Sequence, residues 1–518
     1  MVAAYERYDS TDDYVEMISN PPNNTVPLIY FADQTFLGNT YGVSARAGYI
    51  GRVNYNYKQK YLLEALGRYD GSFLFRKENR FGFFPGVSAG WVISKENFFR
   101  NIKFVDNLKL RVSYGQTGTD RRPYGDTTQP LVAPFSYLQG YDYASGGAVF
   151  NGSLVTGVTP RGLPITNLSW ITSIAKNIGV DFALFNNKLT GSVDFFERKR
   201  TGLPASRYDI LLPSEVGYSL PSDNLNSDAN RGMEGIVTYR SKIREVDYSI
   251  GVNATLSRLR TLDYYKPRFG NSWEEYRNSG VDRWADVNFG HHVIGRFQSQ
   301  DEIDNYPINN DGQGNRTLLP GDLKFEDTNG DGIINGMDQR PIGYAQGGLP
   351  YLNIGINGSV MWKGITLQFD FAGASMQTFQ REYELQIPFQ NNGNSPAYLL
   401  NDRWHRADPF NPNSEWIPGT YPALRKDNPG LSNFSYRNDF WITNVTYLRL
   451  KNLLLGYSLP KSWIEKAGFK NIFVYANGTN LISFDNLRKF EIDGEISSTN
   501  GIVYPQQRLF NFGFNVTL

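Results

Sequence analysis

Twelve residues, Asp327 to Asp338 (DTNGDGIINGMD), set side-chain oxygens at positions 1, 3 and 5 (Asp327, Asn329, Asp331), a glycine at 6, a main-chain carbonyl at 7 (Ile333) and a carboxylate at 12 (Asp338). Oxygens so spaced wrap a hard cation, the glycine permits the sharp bend, and calcium is the expected occupant. Aspartate at position 12, where a longer glutamate would grip the ion with both oxygens, shortens the reach and makes magnesium the alternative. No helical periodicity flanks the loop, so its expected role is to stiffen a long connection. The competing reading is an ordinary solvated Asp/Asn turn.

Other candidates carry less chemistry. Gly86-Val87-Ser88-Ala89-Gly90 has the spacing of a hydrolase nucleophile elbow, which needs a strand, a strained turn and a helix. Its flanks, Phe83, Phe84, Trp91 and Ile93, read instead as one continuing strand, and only three histidines, His291, His292 and His405, exist to supply a base. The His291-His292 pair lacks a third ligand at a metal-binding spacing and is expected in an exposed loop, as are Glu274 and Glu275. No catalytic residue is assigned, and an enzyme is not expected. Trp273, Tyr276, Trp284, Trp404 and Trp416 stand in polar stretches, where flat rings with a polar edge suit stacking on sugar or packing beneath a partner protein. Burial within a loop core is the competing reading for each. Arg449 and Lys451 are expected to tune the charge of an interior face.

The elements that must position these residues are strands. Phe510 to Leu518 (FNFGFNVTL) puts Phe510, Phe512, Phe514, Val516 and Leu518 on one face of a pleated strand and Asn511, Gly513, Asn515 and Thr517 on the other. Register tests the same pattern in hairpins. With Asn186-Asn187 at the turn, Leu184 pairs with Leu189, Val180 with Val193 and Ile178 with Phe195, while Asp181 meets Ser192 and Gly179 meets Asp194. With Lys363-Gly364 at the turn, Trp362 pairs with Ile365, Val360 with Leu367 and Ile356 with Phe371, leaving Asn357 opposite Asp370 and Ser359 opposite Gln368. A third, turning over Arg240 to Glu245, is expected to pair Tyr239 with Val246, Val237 with Tyr248 and Gly235 with Ile250. Apolar faces rich in Trp, Phe, Ile and Val, backed by Asn, Asp, Gln and Ser, give the apolar-out, polar-in division of a membrane barrel. A soluble sandwich would bury the apolar face against a second sheet.

Composition agrees. No run approaches the 18 or more apolar residues of a membrane helix. Aromatics make up 15% of the 518 residues, as aromatic girdles require, and a net charge of +1 gives no pointer to nucleic acid. With no cysteine, disulfides and thiolate metal sites are excluded. The opening MVAAYERYDS lacks the basic and apolar regions of a secretory signal, which for an exported protein implies mature or truncated sequence.

Short turns near 58–60, 185–188, 240–245 and 362–364, and a brief helix with a glycine stop over 460–468, alternate with long polar stretches near 119–168, 201–230, 261–350, 376–443 and 483–505. Short turns face the periplasm and long loops the outside. The expectation is an all-β, antiparallel transmembrane barrel segment of about thirteen strands over 45–518, following an extracellular loop over 1–44. The odd count implies part of a larger barrel.

Several blocks resemble the SusC-like (SusC/RagA) family of TonB-dependent outer-membrane transporters. They are Arg52 to Phe75, Asn79 to Ser94, Asn107 to Asp120, Asn177 to Lys199, Pro320 to Gly343 and Tyr447 to Leu481, in the family's order. The resemblance implies a barrel of about twenty-two strands around an amino-terminal plug, of which this chain holds the carboxy-terminal wall without the plug or a TonB-contacting segment. It implies uptake of oligosaccharides or peptides, a SusD-like surface lipoprotein as lid, the TonB complex acting through a plug, and residence among outer-membrane lipid. The alternatives are a passive porin, which an even strand count would favour, and a secreted glycan-binding or glycan-hydrolysing β-protein with a calcium loop.

Overall fold

The computed structural model describes every residue except 1, 18–34, 100, 266–267, 345–348, 427, 466–467, 496–502 and 505. Fourteen strands form one continuous sheet in which each pairs antiparallel with the next. They are β1 (Val2–Met17), β2 (Thr35–Tyr57), β3 (Tyr61–Ser72), β4 (Phe81–Val92), β5 (Val105–Thr119), β6 (Ile171–Leu184) and β7 (Leu189–Ser206). The second half comprises β8 (Ser222–Ile243), β9 (Val246–Asp263), β10 (Leu352–Trp362), β11 (Ile365–Gln380), β12 (Ile442–Ser458), β13 (Asn471–Asp485) and β14 (Leu509–Thr517). Among the described residues β1 and β14 are the sheet's edges and do not pair with each other.

From β2 to β14 the sheet holds the expected thirteen strands, and β1, drawn from segment 1–44, makes fourteen. Segment 1–44, expected as a loop, instead supplies β1 and the first part of β2, paired from Val2 opposite Ile50 to Met17 opposite Thr35; its residues 18–34 lie outside the described set. YERYDSTDDYVEM carries no apolar alternation, so a strand held by main-chain bonds left no mark in the pattern. For the same reason the expected loop 201–230 shrinks to the span between Ser206 and Ser222: Leu203 pairs with Asn226 and Ser206 with Ser222 in polar strand extensions.

The first two hairpins fall in the expected register, from Leu184 opposite Leu189 to Ile178 opposite Phe195, and from Trp362 opposite Ile365 to Ile356 opposite Phe371. Their turns place Asn186, Asn187, Lys363 and Gly364 at positive φ. The third is corrected. Tyr239 faces Ile250, Val237 faces Val252 and Gly235 faces Ala254, because β8 runs on to Ile243 and turns over Arg244-Glu245. The brief helix near 460–468 is present over Lys461–Ile464, with Gly468 at φ +81.

Faces follow the period of two. Tyr55, Leu63, Phe83, Val112, Ile178, Phe195, Phe512 and Phe514 are exposed on the apolar side among the described residues. Arg111, Asp181 and Asp194 share the opposite side. The water-excluding clusters lie among the outer loops or where a strand end meets them. One gathers Phe297, Ile303 and Leu318, another Leu323, Phe325 and Ile334, a third Leu399, Tyr421 and Trp441, and a fourth Phe379, Val445, Leu487 and Phe490. A wall with lipid on one side and water on the other has no interior to fill. The loops above it do.

Candidate functional site

The Asp327–Asp338 loop turns sharply at two glycines. Gly330 and Gly332 stand at φ +75 and +82, where a side chain would strain the backbone. Asp327 accepts from the main-chain N–H of Gly330 (2.7 Å) and of Gly332 (2.8 Å), and Asp331 from that of Ile333 (2.9 Å). The Asn329 amide donates to Asp331 at 2.9 Å. This bond, with the Ile333 N–H, holds the Asp331 carboxyl below the usual carboxylate range.

Asp338 is different. It is buried, and its two oxygens accept from the N–H groups of Thr328 (2.9 Å) and Asn335 (2.7 Å), clasping the loop's two ends together. Among the described residues no three acidic or imidazole side chains converge as a metal cluster. Oxygens for a cation would come from Asp327 and Asp331 with the Asn329 amide and the Ile333 carbonyl, while Asp338 is buried beneath the loop.

The loop is anchored from outside. Asn309 pairs with Ile333 as a short parallel bridge, and His291 Nε2 lies 2.8 Å from the Asn335 carbonyl oxygen. His291 is 2% exposed and stacks on Tyr436, which corrects the expectation of an exposed pair. Its neighbour His292 pairs with Asp439. Sequence reasoning missed Asp322, which is fully buried and receives Arg425 (2.6 Å) and Asn433 (2.7 Å), fastening segment 318–325 to segment 425–433. Burial pushes its carboxyl up against the pull of Arg425.

The five aromatic candidates separate. Trp404 is 4% exposed and packs on Gly321, so it belongs to the loop core and is withdrawn as a contact residue. Trp284 is covered by the Arg258 guanidinium at 4.6 Å, and Trp416 by Arg406 at 4.7 Å. Trp273 and Tyr276 pack together at 5.4 Å on the short helix Ser272–Asn278, where Asn271 caps the Glu274 N–H, and Tyr276 remains exposed. The structure does not gather the five into one surface. Ser88 lies within β4, opposite Ser113, without the turn and helix of a nucleophile elbow.

No protein-family model matches the chain. It is 28% identical over 492 residues to TonB-dependent receptor P26 of Formosa agariphila, covering 91% of this chain and 46% of that protein. It is 29% identical to TonB-dependent receptor P3 of the same organism over 493 residues (90% and 45%) and 25% identical to TonB-dependent receptor SusC of Bacteroides thetaiotaomicron over 484 residues (90% and 43%). The chain thus spans about half the length of the curated relatives it matches. Among solved structures, the RagAB peptide importer in its open-open state superposes with a TM-score of 0.70 at 17% identity, covering 100% of this chain and 52% of that one. The chain is a relative of the TonB-dependent receptors of the outer membrane.

In that setting the apolar face is the lipid face and the charged face lines the lumen of the receptor wall. Arg111 reaches both Asp181 (2.8 Å) and Asp194 (2.9 Å) across three strands. Arg200 binds Asp228 at 2.5 Å, and Arg46 binds Asp120 at 2.8 Å. Arg449, expected only to tune lumen charge, is 4% exposed and ties the last described outer loop to the wall through Asp493 (2.6 Å) and Glu495 (3.0 Å), the latter shared with Lys451. Residues 496–502 and 505 of that expected loop lie outside the described set. Nothing in local sequence links residue 449 to 493, since the contact depends on how the loop folds back.

Proposed function

We propose that this chain forms the wall and outer loops of a SusC-like, TonB-dependent importer that takes up oligosaccharides or peptides too large to diffuse. Its partners in this reading are a SusD-like surface lipoprotein seated over the outer loops and the TonB complex acting through a plug. The observation that carries the reading is the alignment of about 90% of the chain with TonB-dependent receptors, joined to one antiparallel sheet with an apolar and a charged face. A lumen face set with paired Arg and Asp, beneath outer loops that carry their own cores, suits a gated route better than an open one. Deleting the gene should abolish growth on one oligosaccharide or peptide source, and deleting tonB should reproduce the defect. Growth unaffected by loss of TonB overturns the proposal.

We further infer that the Asp327–Asp338 loop binds calcium, with magnesium as the weaker occupant. Two carboxylates, an amide and a carbonyl oxygen, preformed by the loop's own hydrogen bonds, are hard ligands of the kind calcium takes. The metal's role is structural, fixing the long connection between β9 and β10.

A passive porin is favoured by one observation, the even strand count. Against it, β1 and β14 are not paired, and an unpaired edge in hydrocarbon leaves rows of N–H and C=O groups without partners. A steady ohmic conductance from this chain alone in planar bilayers would establish the porin.

A further inference from the structure

Six connections join strands at the periplasmic end, at 58–60, 93–104, 185–188, 244–245, 363–364 and 459–470. Together they hold eleven Lys or Arg against three Asp or Glu, in a chain whose net charge is only +1. The longest outer connection, 264–351, has the opposite balance, with thirteen acids and eight bases. Every periplasmic connection contributes an exposed cation: Lys58, Lys95, Lys188, Arg244, Lys363 and Lys461. Among the described residues only Lys363 of these six has a carboxylate partner, Glu245 at 3.1 Å, and that pair is exposed on both sides.

The cations do not stand alone. Lys58 Nζ lies 5.1 Å from the centre of the Tyr57 ring, and Lys363 Nζ lies 5.9 Å from that of Trp362. Phe104 and Phe185 stack at 6.0 Å beside the turn that carries Lys188, Phe98 is exposed three residues after Lys95, and Trp463 is exposed two residues after Lys461. Aromatic rings at the edge of a lipid-facing band sit at headgroup level, and a long basic side chain beside them carries its charge outward to the phosphates.

We propose that this rim binds anionic phospholipid of the inner leaflet, drawing phosphatidylglycerol-type headgroups around the periplasmic end of the wall. A soluble acidic partner would need the cations on one continuous patch. Here they are spaced one per turn along the whole sheet and five of the six, all but Arg244, stand next to exposed rings, an arrangement that fits a ring of lipids. Surface attraction of this kind acts within a Debye length, about 10 Å at 0.1 M salt and about 3 Å at 1 M.

The test uses the full-length protein that carries this chain, extracted from mixed vesicles of phosphatidylethanolamine and phosphatidylglycerol (4:1) into polymer nanodiscs, with the retained lipid measured by mass spectrometry. The wild type should enrich phosphatidylglycerol at least twofold over the bulk membrane, and extraction in 1 M salt should return it towards the bulk ratio. A variant carrying K58Q, K95Q, K188Q, R244Q, K363Q and K461Q should show no enrichment, and the triple variant K58Q/K188Q/K363Q an intermediate value. Heat-modifiable migration of each variant checks that it folds, and the salt measurement on the wild type stands if the sixfold variant does not. Enrichment unchanged by salt or by substitution overturns the proposal. So does its loss to millimolar glycerol phosphate, which would mark a soluble anion as the ligand, or a bulk lipid ratio in the wild type with tight binding of an acidic periplasmic protein.

Discussion

Arginine placed at Ile178 should unfold the wall far more readily than arginine placed at Asn177, its neighbour on the same strand. Ile178 stands six residues above Leu184, where β6 meets its periplasmic turn, with Val112 on one side and Phe195 on the other. Six residues at about 3.3 Å each, tilted by about 40°, lift it roughly 15 Å above the turn, close to the middle of an apolar band about 25 Å tall. A guanidinium there must leave water or thin the bilayer around it, at a cost of about 2–4 kcal/mol. Asn177 lies opposite Ser113 and lines a lumen cavity of about 460 Å³ with Asn54, Glu64, Lys109 and Arg111, where water can meet a new charge. The cost there should stay below about 1 kcal/mol, the usual scale of a surface substitution. The assay is reversible guanidinium unfolding of the full protein in liposomes, followed by tryptophan fluorescence. Equal midpoint shifts for I178R and N177R would refute the assignment of faces, and a larger shift for N177R would reverse it.

Three further outcomes are expected. In the metal loop, calcium should raise the protease resistance of segment 264–351 and chelation should lower it, while D331A should remove the calcium response. Because Asp331 is held below the ordinary carboxylate value of about 3.9, that response should persist as the pH falls towards about 4 and disappear only below it. In the cysteine-free chain, the pair Y239C/I250C should form a disulfide under mild oxidant, and Y239C/V246C should not; the reverse would restore the register shifted by four residues. Arg381, 4% exposed among the rings of Phe490 (4.3 Å), Trp441 (4.9 Å) and Tyr421 (5.7 Å), should cost about 2–4 kcal/mol of local stability when changed to Ala, read as faster hydrogen exchange over 379–441, and unchanged exchange would show the rings do not hold it.

What was legible in the sequence was whatever repeats with period two. The hairpins β6–β7 and β10–β11 were readable to the residue because apolar and polar faces on both strands must agree, and a slip of one would invert them. The β8–β9 hairpin escaped for the complementary reason. A shift of four residues keeps every side chain on its own face, so alternation cannot detect it, and only the turn chemistry of Arg244-Glu245 distinguishes the two registers. The upper parts of β7 and β8 run on beyond the apolar band, and there the composition is free to be polar on both faces.

The candidate site divides along the same line. The turn geometry of segment 327–333 was readable because a loop that winds on itself takes its shape from neighbours two to five residues away, through bonds such as Asp327 to Gly332. Trp404 was not, because its burial against Gly321 depends on a segment more than eighty residues distant, and Asp322 to Arg425 spans still more. These long contacts answer a physical demand specific to this architecture. A barrel wall spends most of its apolar residues on lipid, so the outer loops borrow from it only strand ends such as Phe379 and Val445 and build the rest of their core from aromatics and from buried ion pairs that lock distant segments together. Polar stretches dense in tryptophan and tyrosine therefore mark self-supporting loops first, and even a half-exposed ring such as Tyr276 packs on Trp273 and Phe289.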